Sequence, residues 1–311
     1  MAGTPGTLTG LQITKNVLPL FYAHKDPRWI STLIAPISKT NKKSGYIVKM
    51  EDGYLRPVNG IVASTAPAAP IDDGYSTIEY NVARRRWSFT IADEDLEDWE
   101  LPVQAAQRAM RALNAQVAVD REISLSAWMT ALSTTPTNFT HYGSPSVKWD
   151  ATSGTIKVDE DMEGGFEAIE NEIGIRPNTI IASPGSHTAI KTWIKGYLAG
   201  SGRTKMPGEQ DIRDYFEVEN YWVGRSRYRS ERKGATRALT QCWGTDFVWI
   251  GNCSAEKDEP MFATTVVRGE DTKFKPIREE NPEATTYVLS SDYQVKVVEE
   301  KSMYCLYDCL T

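Results

Sequence analysis

Two clusters of arginine beside aromatic residues are the most obvious candidates for binding chemistry. They consist of Arg84, Arg85 and Arg86 before Trp87, and of Arg225, Arg227 and Arg229 around Tyr228. Arginine interleaved with aromatic rings can bind single-stranded nucleic acid through phosphate contacts and base stacking. The alternation in the second cluster instead predicts three arginines on one face of a strand or hairpin, where they would meet carboxylates of a neighbouring molecule. We favour the carboxylate interpretation, because the chain is acidic overall.

Other residues that could act in catalysis or bind a metal lack the partners that such chemistry requires. His187 could be a general base, but no matched nucleophile accompanies it, and we interpret it as a polar surface residue. Cys305 and Cys309 have a spacing that zinc tolerates, yet no second cysteine pair or paired histidine follows. The acidic residues between 159 and 172 fit the solvated face of an amphipathic helix. Phosphate-loop, dinucleotide-binding, nucleophile-elbow and zinc-protease motifs do not occur. The sequence therefore predicts no catalytic, cofactor or metal site.

Composition and charge exclude several classes of protein. The 311 residues include 35 basic and 41 acidic side chains, a formal net charge of −6, so the surface as a whole disfavours DNA phosphates. No apolar stretch reaches the ~18 residues of a membrane span, and the first residues lack the pattern of a signal peptide. We therefore expect a cytosolic protein whose cysteines are buried, reduced thiols.

The N-terminal half predicts an arm, a projecting hairpin and a long helix. Residues 1–43 are apolar without a regular period, so we expect an arm that packs on another molecule. Two β-rich stretches, 45–63 and 75–92, flank a tip rich in proline and alanine and predict a long projecting hairpin. From Asp93 to about Leu132, the pattern predicts a helix of ~35–40 residues whose acidic first turns suit the helix dipole. Its apolar stripe recurs every seventh residue at Leu96, Val103, Met110 and Val117.

The C-terminal half predicts an α-β-α unit followed by strands. Helices are expected at about 159–173, ended by Gly174, and at 184–198, on either side of a short buried strand at 179–182. A flexible tip at 200–208 leads to a short helix at 209–217. Gly164-Gly165 is interpreted as a flexible joint. The chain after Tyr221 is mostly β-prone, and we expect its last two strands, around 285–298 and 303–310, to pair with each other.

The order of these elements resembles that of tailed-bacteriophage major capsid proteins with the Hong Kong 97-type capsid fold, over nearly the whole chain. LIAPISKTNKKSGYIVKM at 33–50 is similar to the arm that leads into the extended loop of that family. YNVARRRWSFTIADEDLED at 80–98 is similar to the passage from the loop to the spine helix. Arg121-Glu122, with Ala127 downstream, resembles the Arg-Glu and Ala of that helix. The other matching segments are Lys148-Trp149-Asp150 and Gly174-Ile175-Arg176-Pro177-Asn178 with Ser183-Pro184-Gly185, which resemble the centre of the axial domain.

The resemblance implies an α+β chain with several parts. They are an arm at 1–43, an extended β-loop at 44–92, a peripheral domain with the spine helix and a β-sheet at 93–148 and 260–311, and an α/β axial domain at 149–259. In the family, the loop overlies a neighbouring subunit. Arg84, Arg85 and Arg86 at the base of this loop are therefore candidate contacts with acidic residues such as Glu97, either in a neighbouring subunit or within the same subunit. Arg225, Arg227 and Arg229 are candidate intersubunit contacts because of their alternation. The lysine and asparagine of crosslinking family members have no counterpart by motif, so the resemblance implies no covalent crosslink.

We accordingly interpret the chain as a structural protein and not an enzyme. The resemblance implies self-assembly through pentamers and hexamers into an icosahedral shell around double-stranded phage DNA, which is held by proximity without sequence-specific binding. The implied location is the virion capsid, after assembly in the host bacterial cytoplasm and without membrane contact. Scaffolding, portal and decoration proteins are implied partners, with the scaffold a separate protein because no long helical segment precedes residue 40. Two alternatives remain open: an encapsulin-like shell around a protein cargo, against which the long loop argues, and an enzyme of unknown class.

Overall fold

Two β-sheets and a long helix that contacts both organise the chain. The computed structural model describes residues 29–50, 75–92, 102–131, 138–199, 206–229, 238–253, 261–280 and 283–311. The described helices are α1 (Ser31–Ile34), α2 (Pro102–Met129), α3 (Val158–Ile173), α4 (Pro184–Ala199) and α5 (Glu209–Phe216). The described strands are β1 (Ile37–Thr40), β2 (Ser44–Met50), β3 (Tyr75–Asn81), β4 (Ala83–Ala92), β5 (His141–Gly143), β6 (Thr179–Ala182), β7 (Asn220–Val223), β8 (Arg227–Arg229), β9 (Leu239–Gln241), β10 (Val248–Gly251), β11 (Ala263–Arg268), β12 (Lys273–Glu280), β13 (Glu283–Val297) and β14 (Met303–Leu306).

The first sheet is built around the 15-residue strand β13. β4 pairs antiparallel with one edge of β13, while β12 and β11 occupy the other edge in succession. β1 extends the sheet by pairing in parallel with β11. Alternate residues of β4, namely Trp87, Phe89 and Ile91, pack against α2. The sequence pattern did not predict β12, because its charged residues and Pro276 are untypical of strands and are tolerated at a sheet edge.

The second sheet has the strand order β5-β14-β10-β6-β7 and is covered on both faces. Ile180 and Ile250 point toward α3, α4 and α5, while Ile181 and Trp249 point toward the C-terminal half of α2. β14 lies between β5 and β10, so the prediction that the last two strands pair with each other is wrong. The physical reason is that the side chains of β14 are largely buried on both faces of the strand. An interior position in this sheet, which is covered on both sides, provides that burial.

Helix α2 connects the cores of the two sheets. Its 28 residues span ~42 Å at 1.5 Å per residue. Met110 and Leu113 pack on the first sheet, whereas Leu125 and Met129 pack beside the second. The predicted long helix is thus confirmed from 102 to 129, and its predicted beginning at 93–100 lies outside the described residues. The seven-residue stripe changes after Val117 because the helix changes its packing partner there.

Residues 29–35 pack in the core of their own chain and β1 joins the first sheet, so for residues 29–40 the expectation of an arm packed on another molecule is wrong. Ile30 and Ile34 are 3% and 0% exposed, and they pack with Leu125, Trp243 and other residues of one cluster. Periodicity did not reveal this, because α1 lasts a single turn and β1 follows directly. Residues 1–28 lie outside the described residues.

The predicted hairpin and α-β-α unit are both present. β2 pairs antiparallel with β3, and β3 continues into β4 with one interruption at Val82; the predicted tip at 51–74 lies outside the described residues. α3 ends at Gly174, which has the left-handed φ of 70° typical of a glycine cap. Gly165 is not a flexible joint: it lies inside α3, where an added Cβ would come 2.7 Å from Ile250 Cδ1. Residues 200–205 of the predicted axial tip also lie outside the described residues.

Candidate assembly surfaces

Among the described residues, no segment covers the outer face of the β2–β3 hairpin. Ile47 and Tyr80 on the inner face pack with Val266 of the first sheet. Tyr46 and Val48 on the outer face are 68% and 62% exposed. A two-stranded ribbon is marginal in water, and exposed apolar surface of this kind is typical of a contact site. The outer face is therefore a surface that a second molecule could bury.

Arg84 and Arg85 have carboxylate partners within the chain. The Arg84 Nε atom lies 3.1 Å from Asp292 Oδ1 on β13. Arg85 points to the other face of β4, where it pairs with Asp120 of α2 and lies over the Tyr293 ring, 4.6 Å from the ring centre. These pairs fasten β4 to its own subunit. A contact of either arginine with a neighbouring subunit stays a prediction.

Arg86 and two lysines form a basic row on the outer face of the first sheet. Arg86 of β4 and Lys273 of β12 lie on either side of Ser290 of β13, with which both are in register. Lys275 lies two residues after Lys273 on β12, on the same face. All three basic side chains are exposed. Within the part of the chain that the structure describes, no carboxylate lies within ion-pair distance of this basic row. Its positive charge is therefore unpaired as far as the described residues show.

The second arginine cluster lies on one exposed face, as its spacing predicts. Arg225, Arg227 and Arg229 are exposed, whereas the alternate residue Ser226 is buried, and β8 pairs with β9. Arg225 also lies 3.7 Å from Glu209 Oε1 at the start of α5. A role of this cluster at a subunit contact stays a prediction, as does that of Glu97, which lies outside the described residues.

His187 is buried, so its interpretation as a surface residue is wrong. It is 6% exposed, and its Nδ1 atom lies 2.9 Å from the Tyr221 hydroxyl. Its Nε2 atom lies 3.4 Å from the Arg225 guanidinium, which can only donate, so Nε2 accepts and Nδ1 carries the proton. Burial, with smaller effects of Arg225 and Lys191, lowers the pKa of His187 to about 4. The imidazole is thus a neutral packing group.

A buried carboxylate on α2 joins three segments of the chain. Glu122 has no exposed surface. Its Oε1 atom accepts hydrogen bonds from Trp243 Nε1 at 2.5 Å, from Ser226 Oγ at 2.8 Å and from the Ile30 amide at 3.4 Å. Its Oε2 atom accepts from the Ser31 amide at 2.9 Å. Glu122 therefore stabilises the first amides of α1 and fixes this N-terminal segment to α2 and to the region around β8 and β9.

The preceding residue, Arg121, makes the equivalent connection to the first sheet. Its guanidinium pairs with Asp271, in the turn between β11 and β12, and lies over the Tyr293 ring, 4.6 Å from the ring centre. Adjacent positions on a helix point about 100° apart, so the neighbouring residues Arg121 and Glu122 can bind partners on two different sides of α2. The seven-residue spacing of apolar residues did not predict the roles of Arg121 and Glu122. The available signal was a run of three charged residues, 120–122, at the point of the helix where the seven-residue apolar stripe ends.

The cysteines of the chain are packing groups. All four cysteines are free and buried, as expected. Burial raises the pKa of the Cys253 thiol to about 12 and also raises the pKa values of Cys305 and Cys309. Among the described residues, no three His, Cys, Asp or Glu side chains are grouped to hold a metal ion. No described helix is long and apolar enough to cross a membrane.

Comparison with known proteins shows similarity at the level of the fold. Neither a family model nor a curated protein sequence matches the chain. A phage-related protein from Bordetella bronchiseptica RB50 superposes with a TM-score of 0.73 and 19% identity, covering 95% of this chain and 96% of the other. A virus-like particle from Pyrococcus furiosus gives 0.55 and 11%, covering 95% and 98%. The capsid of the cyanophage P-SCSP1u gives 0.52 and 14%, covering 89% and 87%. Along nearly all of its length, the chain therefore has the fold found in phage capsids and related protein shells.

Proposed function

We propose that this chain is the major capsid protein of a tailed bacteriophage, and that its copies assemble without covalent links into the icosahedral head that encloses phage DNA. The observation that carries this proposal is the similarity to a phage-related protein, a virus-like particle and a phage capsid, over at least 87% of each chain. Coverage of this extent means that the shared architecture is the whole subunit and not one common motif. The subunit would act as a building block and not as an enzyme.

The uncovered hairpin face supports this proposal. Tyr46 and Val48 form an apolar pair on a ribbon that projects from the first sheet. Burying such a pair against the next subunit would contribute roughly 1.5–3 kcal/mol per fully buried large side chain. Each closed shell repeats this contact in every subunit, so modest contacts add up to a stable particle.

The two sheets correspond to the two domains of the capsid fold. We assign the first sheet and α2 to the peripheral domain, and the second sheet with α3, α4 and α5 to the axial domain. The hairpin is the base of the extended loop. On this assignment β5 and β14 belong with the axial domain, although they lie in segments 93–148 and 260–311 of the chain. Pentamers and hexamers would form around the axial domains, and scaffolding, portal and decoration proteins would be further partners during assembly in the host cytoplasm.

Imaging of the purified protein tests the proposed function. The chain is expressed alone and together with the genes adjacent to its own, and both preparations are examined by negative-stain electron microscopy. We expect closed particles of uniform diameter in at least one preparation. Monomers alone in both preparations would refute the proposal. Particles filled with a co-expressed enzyme, and without a portal, would favour the encapsulin-like alternative.

The basic row provides a test of the charge contacts between subunits. We propose that Arg86, with Lys273 and Lys275, contacts the acidic segment 93–100 of a neighbouring subunit. Exposed ion pairs contribute only ~0.2–1 kcal/mol each, and salt screens them over a Debye length of about 8 Å at 0.15 M. Arg86→Glu should therefore reduce the yield of particles at low salt without changing the stability of the subunit, and Glu97→Arg in the same chain should restore part of the yield.

The matched control is Lys42→Glu, which makes the same charge change at another exposed position. It should leave the yield unchanged. Equal yields for Arg86→Glu and Lys42→Glu at every salt concentration would show that the basic row is solvated surface.

A further inference from the structure

We propose that a slot between β3 and β13 is a strand-binding site, and that residues 11–17 of the same chain occupy it as an added β-strand. The slot begins where β4 ends, because β13 continues beyond its last β4 pair, Tyr293 with Ala83. From that point, β3 turns away to pair with β2. The inference concerns the subunit itself and goes beyond the proposed shell function.

The hydrogen-bonding direction of β13 leaves two residues with backbone groups directed into the slot. The Val298 amide donates to the Phe262 carbonyl, so Lys296 and Gln294, at every second position, also face β11 in this ladder. Val295 and Val297 must then present their N–H and C=O groups to the opposite edge. The described residues offer them no strand partner there.

The opposite wall of the slot, strand β3, also has backbone groups that are directed away from its own strand partner. The Val82 amide donates to the Lys43 carbonyl, so alternate residues of β3 face β2. Thr77 and Glu79 therefore direct their backbone groups away from β2, toward β13. The Asn81 amide confirms this direction, because it donates to Gln294 Oε1 at 2.8 Å and closes the narrow end of the slot. Two unpaired strand edges that face one groove form a template for an inserted strand.

The base and rim of the slot fit a strand with one apolar face. The groove has a volume of about 570 Å³. Leu125 and Trp128 of α2 line it together with Val295 and Val297, and lysines and glutamates between 296 and 301 form its rim. Val295, Val297 and Trp128 are only partly buried. An inserted strand would cover these side chains and pair the open backbone groups in one step.

The N-terminal segment is the occupant that the chain itself supplies. The described chain begins at Trp29, and the Ile30 amide bonds to Glu122, one helical turn from Leu125 at the base of the slot. In the sequence 11–17, LQITKNV, one face of a strand would carry Leu11, Ile13 and Val17 together with Lys15, and the other face would be polar. Ile13, Thr14 and Val17 are β-branched residues that favour strands. Eleven residues, 18–28, lie between Val17 and Trp29, and the twelve Cα–Cα steps can span ~40 Å at up to ~3.3 Å each. A tethered segment also has an effective concentration near the millimolar range, which favours it over a second copy.

Residue-resolved hydrogen–deuterium exchange on dilute, unassembled full-length subunits tests this proposal. We expect the amides of Val295 and Val297 to exchange roughly tenfold or more slowly in the native chain than in Ile13→Pro, which removes a strand amide and breaks the added strand. The amide of Lys296, which faces β11, is an internal control and should be unchanged. Gly3→Pro, outside the proposed strand, should behave like the native chain.

Three outcomes would overturn the proposal. Rapid exchange of Val295 and Val297 in the native chain would show an empty slot. Equal protection in native and Ile13→Pro proteins would show that another group protects these amides. Protection that disappears on dilution would assign the slot to a second copy. None of these outcomes depends on whether shells form, so the result is separate from the test of shell function.

Discussion

Replacing Glu122 with glutamine tests whether one buried carboxylate holds the N-terminal segment against α2. Glutamine has nearly the same shape, so the variant changes charge and hydrogen bonding without leaving a cavity. If the amide oxygen takes the position of Oε1, it keeps the bonds from Trp243 and Ser226. The amide nitrogen then faces the Ser31 N–H, and a bond of 2.9 Å becomes a contact between two donors.

The expected magnitude follows from these contacts. A hydrogen bond to a charged acceptor contributes ~1.5–3 kcal/mol, and a buried donor left without a partner costs about 1–3 kcal/mol. Because the three remaining bonds also lose their charge, we expect Glu122→Gln to lower the free energy of unfolding by ~3 kcal/mol. Glu122→Ala leaves every one of these donors unpaired and opens a cavity, so its loss should exceed ~4 kcal/mol.

Urea unfolding of the unassembled subunit, followed by circular dichroism, measures this loss. With an m-value of ~3 kcal/mol per molar, the midpoint for Glu122→Gln should fall by roughly 1 M. Hydrogen exchange at the Ile30 and Ser31 amides should accelerate in parallel. The control is Glu167→Gln on the exposed face of α3, which should change stability by less than ~0.5 kcal/mol. A midpoint for Glu122→Gln equal to that of the control would refute the assigned role.

Two further pairs of measurements follow from packing and protonation. Gly165→Ala should destabilise the subunit by ~1–3 kcal/mol, because its Cβ would meet Ile250 at 2.7 Å. Gly164→Ala, with open space around the new Cβ, should instead stabilise the subunit by up to ~1 kcal/mol. Equal effects of the two substitutions on thermal unfolding would contradict the close contact between α3 and the second sheet. Burial and Arg225 lower the pKa of His187 from 6.5 to about 4, so the unfolded chain binds this proton more tightly and stability should fall as the pH falls from about 6.5 to about 4. His187→Gln should reduce that slope, and an unchanged slope would show that other groups cause it.

Local signals in the sequence predicted the elements whose ends and periods are encoded by near neighbours. Gly174 and Pro184 mark the end of α3 and the start of α4 through their own backbone preferences. The alternation of polar and apolar residues in β4 and the apolar stripe of α2 likewise depend only on residues within each element, so the sequence was sufficient to predict both. The alternation at 225–229 also predicted correctly that the arginines share an exposed face.

The partners of these elements were decided by tertiary structure. The bond from Trp243 to Glu122 joins positions 121 residues apart, and the pair of Arg84 with Asp292 joins positions 208 apart. No local pattern specifies such contacts, because their formation depends on which sheet each strand enters. The same reason explains why β14 entered the second sheet and why residues 29–35 joined the core. The sequence by itself determined the long helices, their ends and the regularly alternating strands, but not α1, β1 or β12. Only the folded chain determined which charges are paired and which strand edges and faces remain open among the described residues, because these depend on burial against distant segments.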